Sequence, residues 1–348
     1  MSPSSEDLGK RKGTVLRAVV TEHIRTGEPV GSGAVVTRYR LRVSPATIRN
    51  DMAALEDFGY LAQPHTSAGR IPTDSGYRYY VDTSPRAAQL REAHKQAIAR
   101  FFGDAQPDLD EVVRGTTQLL SELTHHASLA LAPSLTDSDI VHLDLMRMGS
   151  ALVLLVIVDT GRVEKRVLDG HSELTAQAAE RVAAQAERTA AGRTLAEAAG
   201  ALADLAREAA GPNADVMASV AAAVGEMAGD APSGDVILGG VGNLAAEEGF
   251  ARRESVRHLF EALERHAEVT DLLRTASDAP DVTVSIGGEN PLPTMHDASL
   301  VIASYRVDGR PLGSIGVVGP TRMDYLDAIS AVRAVARRLS EAIGPLSS

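Results

Sequence analysis

Apolar residues recur every three to four positions over most of this chain and every second position in a few short stretches, so helices alternate with occasional strands. Residues 8–26 place Leu16, Val19, Val20 and Ile24 on one helical face. A break at 27–31 contains Pro29, and Ser32 then stands where it can cap a short helix to about Tyr39, with Val35 and Val36 inward. After a tight turn at 40–43, Ser44 and Pro45 predict a helix start: a hydroxyl to cap free amides, then a ring that pre-sets φ. Gly59 predicts its stop, because glycine takes the left-handed conformation after a last turn. Within 45–58, Ile48, Met52 and Leu55 form the inward edge. At about 100° per residue, Ala46, Asn50 and Ala53 point the opposite way, flanked by Thr47 and Arg49.

Short strands are expected at 60–63 and 70–71, with a loop tip at 65–69 between them. Thr73 caps a helix to about Val81, and 83–86 reads as a linker. Residues 86–128 are helical, broken near 103–107. Strands follow at 127–132, 141–147 and 151–158; a turn at 159–161 and a return over 163–168 make the last an antiparallel hairpin. Residues 172–229 are alanine-rich and helical, cut at Gly192 and at Gly211-Pro212, with Val216, Val220, Val224 and Met227 as a stripe. A strand at 236–238, helix over 247–275 and strands at 282–286, 300–305 and 313–318 complete the pattern. Thr321 with Asp324 resembles a capping box before a final helix to about Ile343. The fold class expected is α+β and multidomain, with an α/β sensor-type portion after residue 86 that carries an inserted, mainly helical segment.

The 348 residues suffice for two or three cores. Six of the twelve aromatic residues lie before position 83, as a small separate unit with a core to fill requires. The net charge of −11 argues against nucleic acid if taken whole. Its distribution reverses that: residues 10–49 hold nine Lys or Arg against Glu22 and Glu28, a local excess of seven. Such a stripe on an acidic chain attracts phosphate where it lies. With the capped helix, the preceding helix, the tight turn and the loop after it, the reading is a winged helix-turn-helix that binds DNA.

Other chemistry finds little support. There is no cysteine, hence no disulfide, thiolate metal site or cysteine nucleophile. Gly240, Gly242 and Ala245 match a dinucleotide pattern without the βαβ context it needs, and a turn with Asn243 capping the next helix is the better account. Adjacent His125 and His126 are poorly placed to chelate together, and no hydrolase or P-loop signature occurs. No enzyme, cofactor or metal is expected. The longest apolar run, 151–158, is far too short to span a membrane, and no leader pattern opens the chain, which points to the cytoplasm.

The chain strongly resembles the HrcA family, the heat-inducible transcription repressors of bacterial chaperone operons. The runs VSPATIRNDM at 43–52, with Leu55, Gly59, Tyr60 and Leu61, and PHTSAGRIPT at 64–73, with Gly76, Tyr77 and Arg78, resemble the family's recognition helix and wing. Leu238-Gly239-Gly240 with Asn243-Leu244, Ile286-Gly287 with Glu289-Asn290, and GVVGPTRMDY at 316–325 resemble further family blocks. The resemblance implies a DNA-binding domain (1–84), a GAF-like domain in two parts (85–170 and 246–348) and an inserted dimerising domain (171–245). It also implies a homodimer on an inverted-repeat operator in double-stranded DNA, and modulation by the GroEL chaperonin. The residues expected at DNA are Ser44, Ala46, Thr47, Arg49 and Asn50 at bases or adjacent phosphates, Lys12, Arg38, Arg40 and Arg42 at the backbone, and His65 and Arg70 on the wing. The alternative is a metabolite-responsive regulator whose GAF-like domain binds a small molecule.

Overall fold

A computed structural model describes residues 8–40, 43–65, 69–84, 90–104, 109–133, 138–149, 151–159, 162–171, 174–209, 211–230, 236–246, 250, 253–279, 281–307 and 309–344. Three helices open it, α1 (Lys10–Thr26), α2 (Ser32–Tyr39) and α3 (Pro45–Asp57). Strands β1 (Leu61–Ala62) and β2 (Ile71–Pro72) pair antiparallel, and α4 (Asp74–Thr83) follows. Thr73 caps α4 by accepting from the Gly76 amide at 3.2 Å. Gly31 is the cap position of α2, and Ser32 is already its first helical residue, so no side chain caps that helix.

Next come α5 (Glu92–Asp104), α6 (Leu109–Thr124) and β3 (Ala127–Leu131). A second sheet follows, β4 (Ile140–Met148), β5 (Ala151–Val158) and β6 (Val163–Leu168), then α7 (Ala176–Ala190), α8 (Leu195–Glu208) and α9 (Pro212–Asp230). The chain continues through β7 (Val236–Gly239), α10 (Val241–Ala246), α11 (Arg253–Glu264), α12 (His266–Ser277), β8 (Thr283–Ile286), β9 (Ala298–Val307), β10 (Arg310–Pro320) and α13 (Tyr325–Ile343). The fold is α+β.

The larger sheet has the order β7-β3-β10-β9-β8 and every pairing in it is antiparallel. One face packs on α6 and α13 through Val113, Leu120, Val332 and Val335, and the other on α11 and α12 through Leu259, Leu263 and Leu273. Because β7 is an antiparallel edge strand paired to β3, with Leu131 opposite Val236, the Gly240 turn lacks the parallel crossover of a dinucleotide site. Asn243 lies inside α10 rather than capping it, and its amide donates to Ser121 Oγ at 2.9 Å. Asp324, not Thr321, caps α13, accepting from the Asp327 amide at 3.1 Å. The helix expected over 247–275 is two helices that break at Arg265.

The smaller sheet β4-β5-β6 shares a core with α7, α8 and α9, not with the larger sheet. Inward residues of β5 (Leu152, Leu154, Val156, Val158) meet Val182, Leu202, Val220 and Val224. Boundaries at 171 and 245 therefore cut through this core, which begins at Ile140, and take in β7, which belongs to the other sheet. Each strand looked locally like any other, and only the partner sheet separates them. Among the described residues, no helix is long and apolar enough to cross a membrane, and no group of three or more His, Asp or Glu is placed to hold a metal ion.

Candidate nucleic-acid interface

Ser44 adopts an extended backbone and its hydroxyl accepts from the Thr47 amide at 3.1 Å, with Thr47 Oγ1 3.0 Å away. At the other end Gly59 has φ of 78°. Its amide donates to Glu56 at 2.8 Å, and that of Tyr60 to Leu55 at 2.9 Å, the paired bonds of a Schellman stop. Between these caps Ile48, Met52 and Leu55 are buried against α1 and α2. Ala46, Arg49 and Asn50 are exposed on the opposite edge, with Thr47 half-buried beside them.

Asp51 is the residue the helical pattern misses. It is buried, and both its carboxylate oxygens accept from Arg11 on α1, at 2.7 and 2.9 Å. The hydrogen bond and the charge of Asp51 raise the guanidinium pKa of Arg11 above its ordinary value. The pair spans forty positions, so periodicity within α3 gives no sign of it. It fixes the rotation of α3 about its axis and so keeps Arg49 and Asn50 outward.

The basic stripe is thinner than its charge count. Glu22 is buried and accepts from Arg25 at 2.6 Å and from Arg38 at 2.7 Å. The hydrogen bond from Arg25, with that from Arg38, holds its carboxyl below the usual carboxylate range. Arg70 pairs with Glu56 at 2.7 Å, and its side chain is 17% exposed. It thus closes the ribbon onto α3 instead of projecting from it. Lys12 sits 5.2 Å from the centre of the Phe58 ring, a cation–π contact at the end of α3. Lys10, Arg40 and Arg49 are exposed and form no ion pair with described residues, and His65 is exposed. Arg40 has a left-handed backbone, φ 49°, where the chain turns from α2 toward α3. Arg42 and the loop tip at 66–68 lie outside the described residues.

The ribbon is anchored by a reciprocal bridge, Val30 N–H to Arg70 at 2.8 Å and Arg70 N–H to Val30 at 2.9 Å. Gly69 permits it, since a Cβ there would lie 2.4 Å from the Val30 carbonyl oxygen. The whole unit is seated on the larger sheet. Tyr77 of α4 hydrogen-bonds His23 at 2.8 Å, and its ring centre lies 5.7 Å from that of Tyr325 on α13. Burial lowers the His23 pKa to about 4, with the positive Arg322 adding to the shift. Arg322 itself donates to the Ile24 carbonyl at 3.1 Å. Asp74 accepts from the Gly288 amide at 2.9 Å, and Arg78 is paired with Glu289.

A capped helix with one buried and one small, polar edge, carried with a β-ribbon on a helix-covered sheet, belongs to the class of transcription regulators. Residues 110–329 match the HrcA protein C terminal domain. The chain is 43% identical over 335 residues to the "Heat-inducible transcription repressor HrcA" of Thermobifida fusca (strain YX), covering 96% of each. To the protein so named in Nocardia farcinica (strain IFM 10152) it is 39% identical over 345 residues, covering 99% of each. A solved structure titled a hypothetical protein superposes with a TM-score of 0.66 at 25% identity, over 98% of this chain and 100% of that one. The chain belongs to the HrcA family.

Proposed function

We propose that the protein is a cytoplasmic heat-inducible repressor that binds an inverted-repeat operator of chaperone genes as a homodimer. In this reading residues up to 84 are a winged helix-turn-helix, the larger sheet with its helices is the GAF-like sensor portion, and GroEL modulates activity. The observation that carries the DNA-binding part is the exposed edge of α3, where Ala46 lets the helix approach a groove floor and Arg49 and Asn50 are unengaged by described residues. Ser44 and Thr47 hold the helix start and offer hydroxyls to the adjacent phosphate. Arg40 and His65 are exposed and Lys12 is half-buried, and these three serve as backbone contacts, with Arg42 assigned to the same role from its place in the sequence alone. Arg38 and Arg70, held by Glu22 and Glu56, mainly orient their elements and lend charge at a distance.

The homodimer finds support in the smaller sheet. Its inner face is filled by α7–α9, including the Val216, Val220, Val224 and Met227 stripe, which is buried within the unit. Its outer face exposes Met146, Met148, Val163 and Val167, with Met148 at 64% and Val167 at 61%. Register places Val153 opposite Met146 on one side and Val167 on the other, so these side chains form one patch. A second copy meeting it about a two-fold axis covers it with the same patch.

Selection of bound DNA from a random pool tests the reading: an inverted repeat is expected, and recovery without sequence preference or symmetry overturns it. Arg49→Ala is expected to weaken binding to the selected site by about 1–3 kcal/mol and to relax preference at one base pair. A loss equal on all sequences makes Arg49 a phosphate contact.

A further inference from the structure

A cavity of about 520 Å³ opens between α12 and the β8 edge of the larger sheet. Its floor is Leu300 and Ile302, both buried, with Leu272 and Leu292 on its sides. This volume lies within the range of small-molecule sites, and the close packing of protein interiors makes it far larger than a packing fault. Two features define what fits. Thr283 and Ser285, on one face of β8, present hydroxyls that have no hydrogen-bond partner among the described residues. Among the described residues, the charged side chains in the lining are Glu268 and Asp271, one turn of α12 apart; Glu268 is paired with Arg265 at 3.5 Å, so Asp271 supplies the uncompensated negative charge. An apolar floor, hydroxyls on one wall and negative charge at the mouth match an organic cation with an apolar body and repel an anion.

The other face of β8 looks toward the α4 and α13 junction. Val282 and Val284 pack there with Val81, Leu326 and Ile329. Arg78 of α4 donates to the Val284 carbonyl at 2.6 Å, while Glu289 accepts from the Ile286 amide at 2.9 Å and pairs with Arg78. β8 is therefore a one-strand wall between the cavity and the grip on the N-terminal unit.

We propose that this cavity binds a small organic amine with an aromatic or aliphatic body, and that β8 transmits its occupancy to α4. The inference stands apart from the DNA-binding reading, because its test contains no DNA. The full chain is titrated calorimetrically with three matched probes, 4-phenylbutylamine, 4-phenylbutanol and 4-phenylbutyrate. The amine is expected to bind tightest and the acid weakest. Asp271→Asn, at an exposed position, is expected to weaken the amine about fivefold and to leave the alcohol unchanged, the scale of one solvent-exposed ion pair. Thr283→Trp fills the cavity and is expected to abolish binding of all three. No binding of any probe at millimolar concentration, or an amine affinity that Asp271→Asn leaves unaltered, overturns the site as assigned. For the coupling, amide exchange at Ile286 and Gly288 is expected to slow by up to about tenfold at ten times the Kd of the amine. Unchanged exchange with the amine bound overturns the transmission through β8.

Discussion

The N-terminal unit and the α7–α9 unit are attached to the same sheet in opposite ways. The first merges with it: Leu16, Ile48, Leu55, Tyr77 and Tyr325 belong to one continuous core that runs on to Val332 and Val317. The second keeps its own core from Ile140 to Met227. The filling differs too. The junction uses large rings, Tyr77 against Tyr325 and Tyr60 against Tyr79, with buried hydroxyls satisfied by His23, Ser299 and the Thr321 carbonyl. The α7–α9 unit uses Ala183, Ala186, Ala190 and Ala198, which bring helices close without large side chains. A shared core moves as one body, whereas a separate core can unfold or reorient alone.

The strongest test of that contrast is Tyr325→Ala, which removes a fully buried ring and two hydrogen bonds. It is expected to cost about 4 kcal/mol and to lower one calorimetric transition that contains both the N-terminal unit and the larger sheet. If those two parts separate in the wild-type scan, the shared core is not cooperative. Leu202→Ala, in the core of the other unit, is expected to cost about 3 kcal/mol, confined to a distinct transition. Acid sharpens the comparison next. His23 is held neutral in the folded chain down to about pH 4, while an unfolded histidine takes up a proton near its ordinary value of about 6.5. Its contribution is therefore complete above that value and is lost as the pH falls toward 4; between pH 7 and 5 the loss is about 2 kcal/mol. His23→Gln is expected to flatten that part of the denaturation profile for the transition containing the N-terminal unit, and to leave the α7–α9 transition alone. Smallest is Met148→Glu on the outer face of the smaller sheet, expected to weaken self-association by about tenfold in sedimentation with little change in melting. A drop in melting without a change in association would place that face inside the fold's own packing.

Much of α1–α4 was legible in the sequence because its signals are local. A hydroxyl before a proline, a glycine after the last turn and an i, i+4, i+7 spacing act within one helix, and Ser44, Gly59 and Thr73 stand where those rules put them. What escaped depends on partners distant in sequence. Asp51 and Arg70 look like surface charges until Arg11 and Glu56 are placed beside them. β5 is apolar on both faces and β4 and β6 mix apolar with charged residues, so the local pattern marks them as strands without saying which sheet they join. On the edge of α3, Ala46, Arg49 and Asn50 are exposed as expected whereas Ala53 is half-buried, and the surrounding positive field is reduced because Glu22 is buried between Arg25 and Arg38. The family resemblance at 286–290 and 316–325 acquires a physical meaning: Gly287, Glu289, Arg322 and Tyr325 are the residues that hold α4 and α1.

The pairing of β3 with β7 bears on how such a chain arose. The strands are neighbours, antiparallel, and their last partners are Leu131 and Val236. Everything at 132–235 is thus, in topological terms, the tip of a β-hairpin grown to the size of a domain. Lengthening a hairpin tip leaves the strand order untouched and adds closure entropy only as the logarithm of its length. A lineage could acquire, exchange or shorten that tip while the sheet beneath it went on folding by the same route.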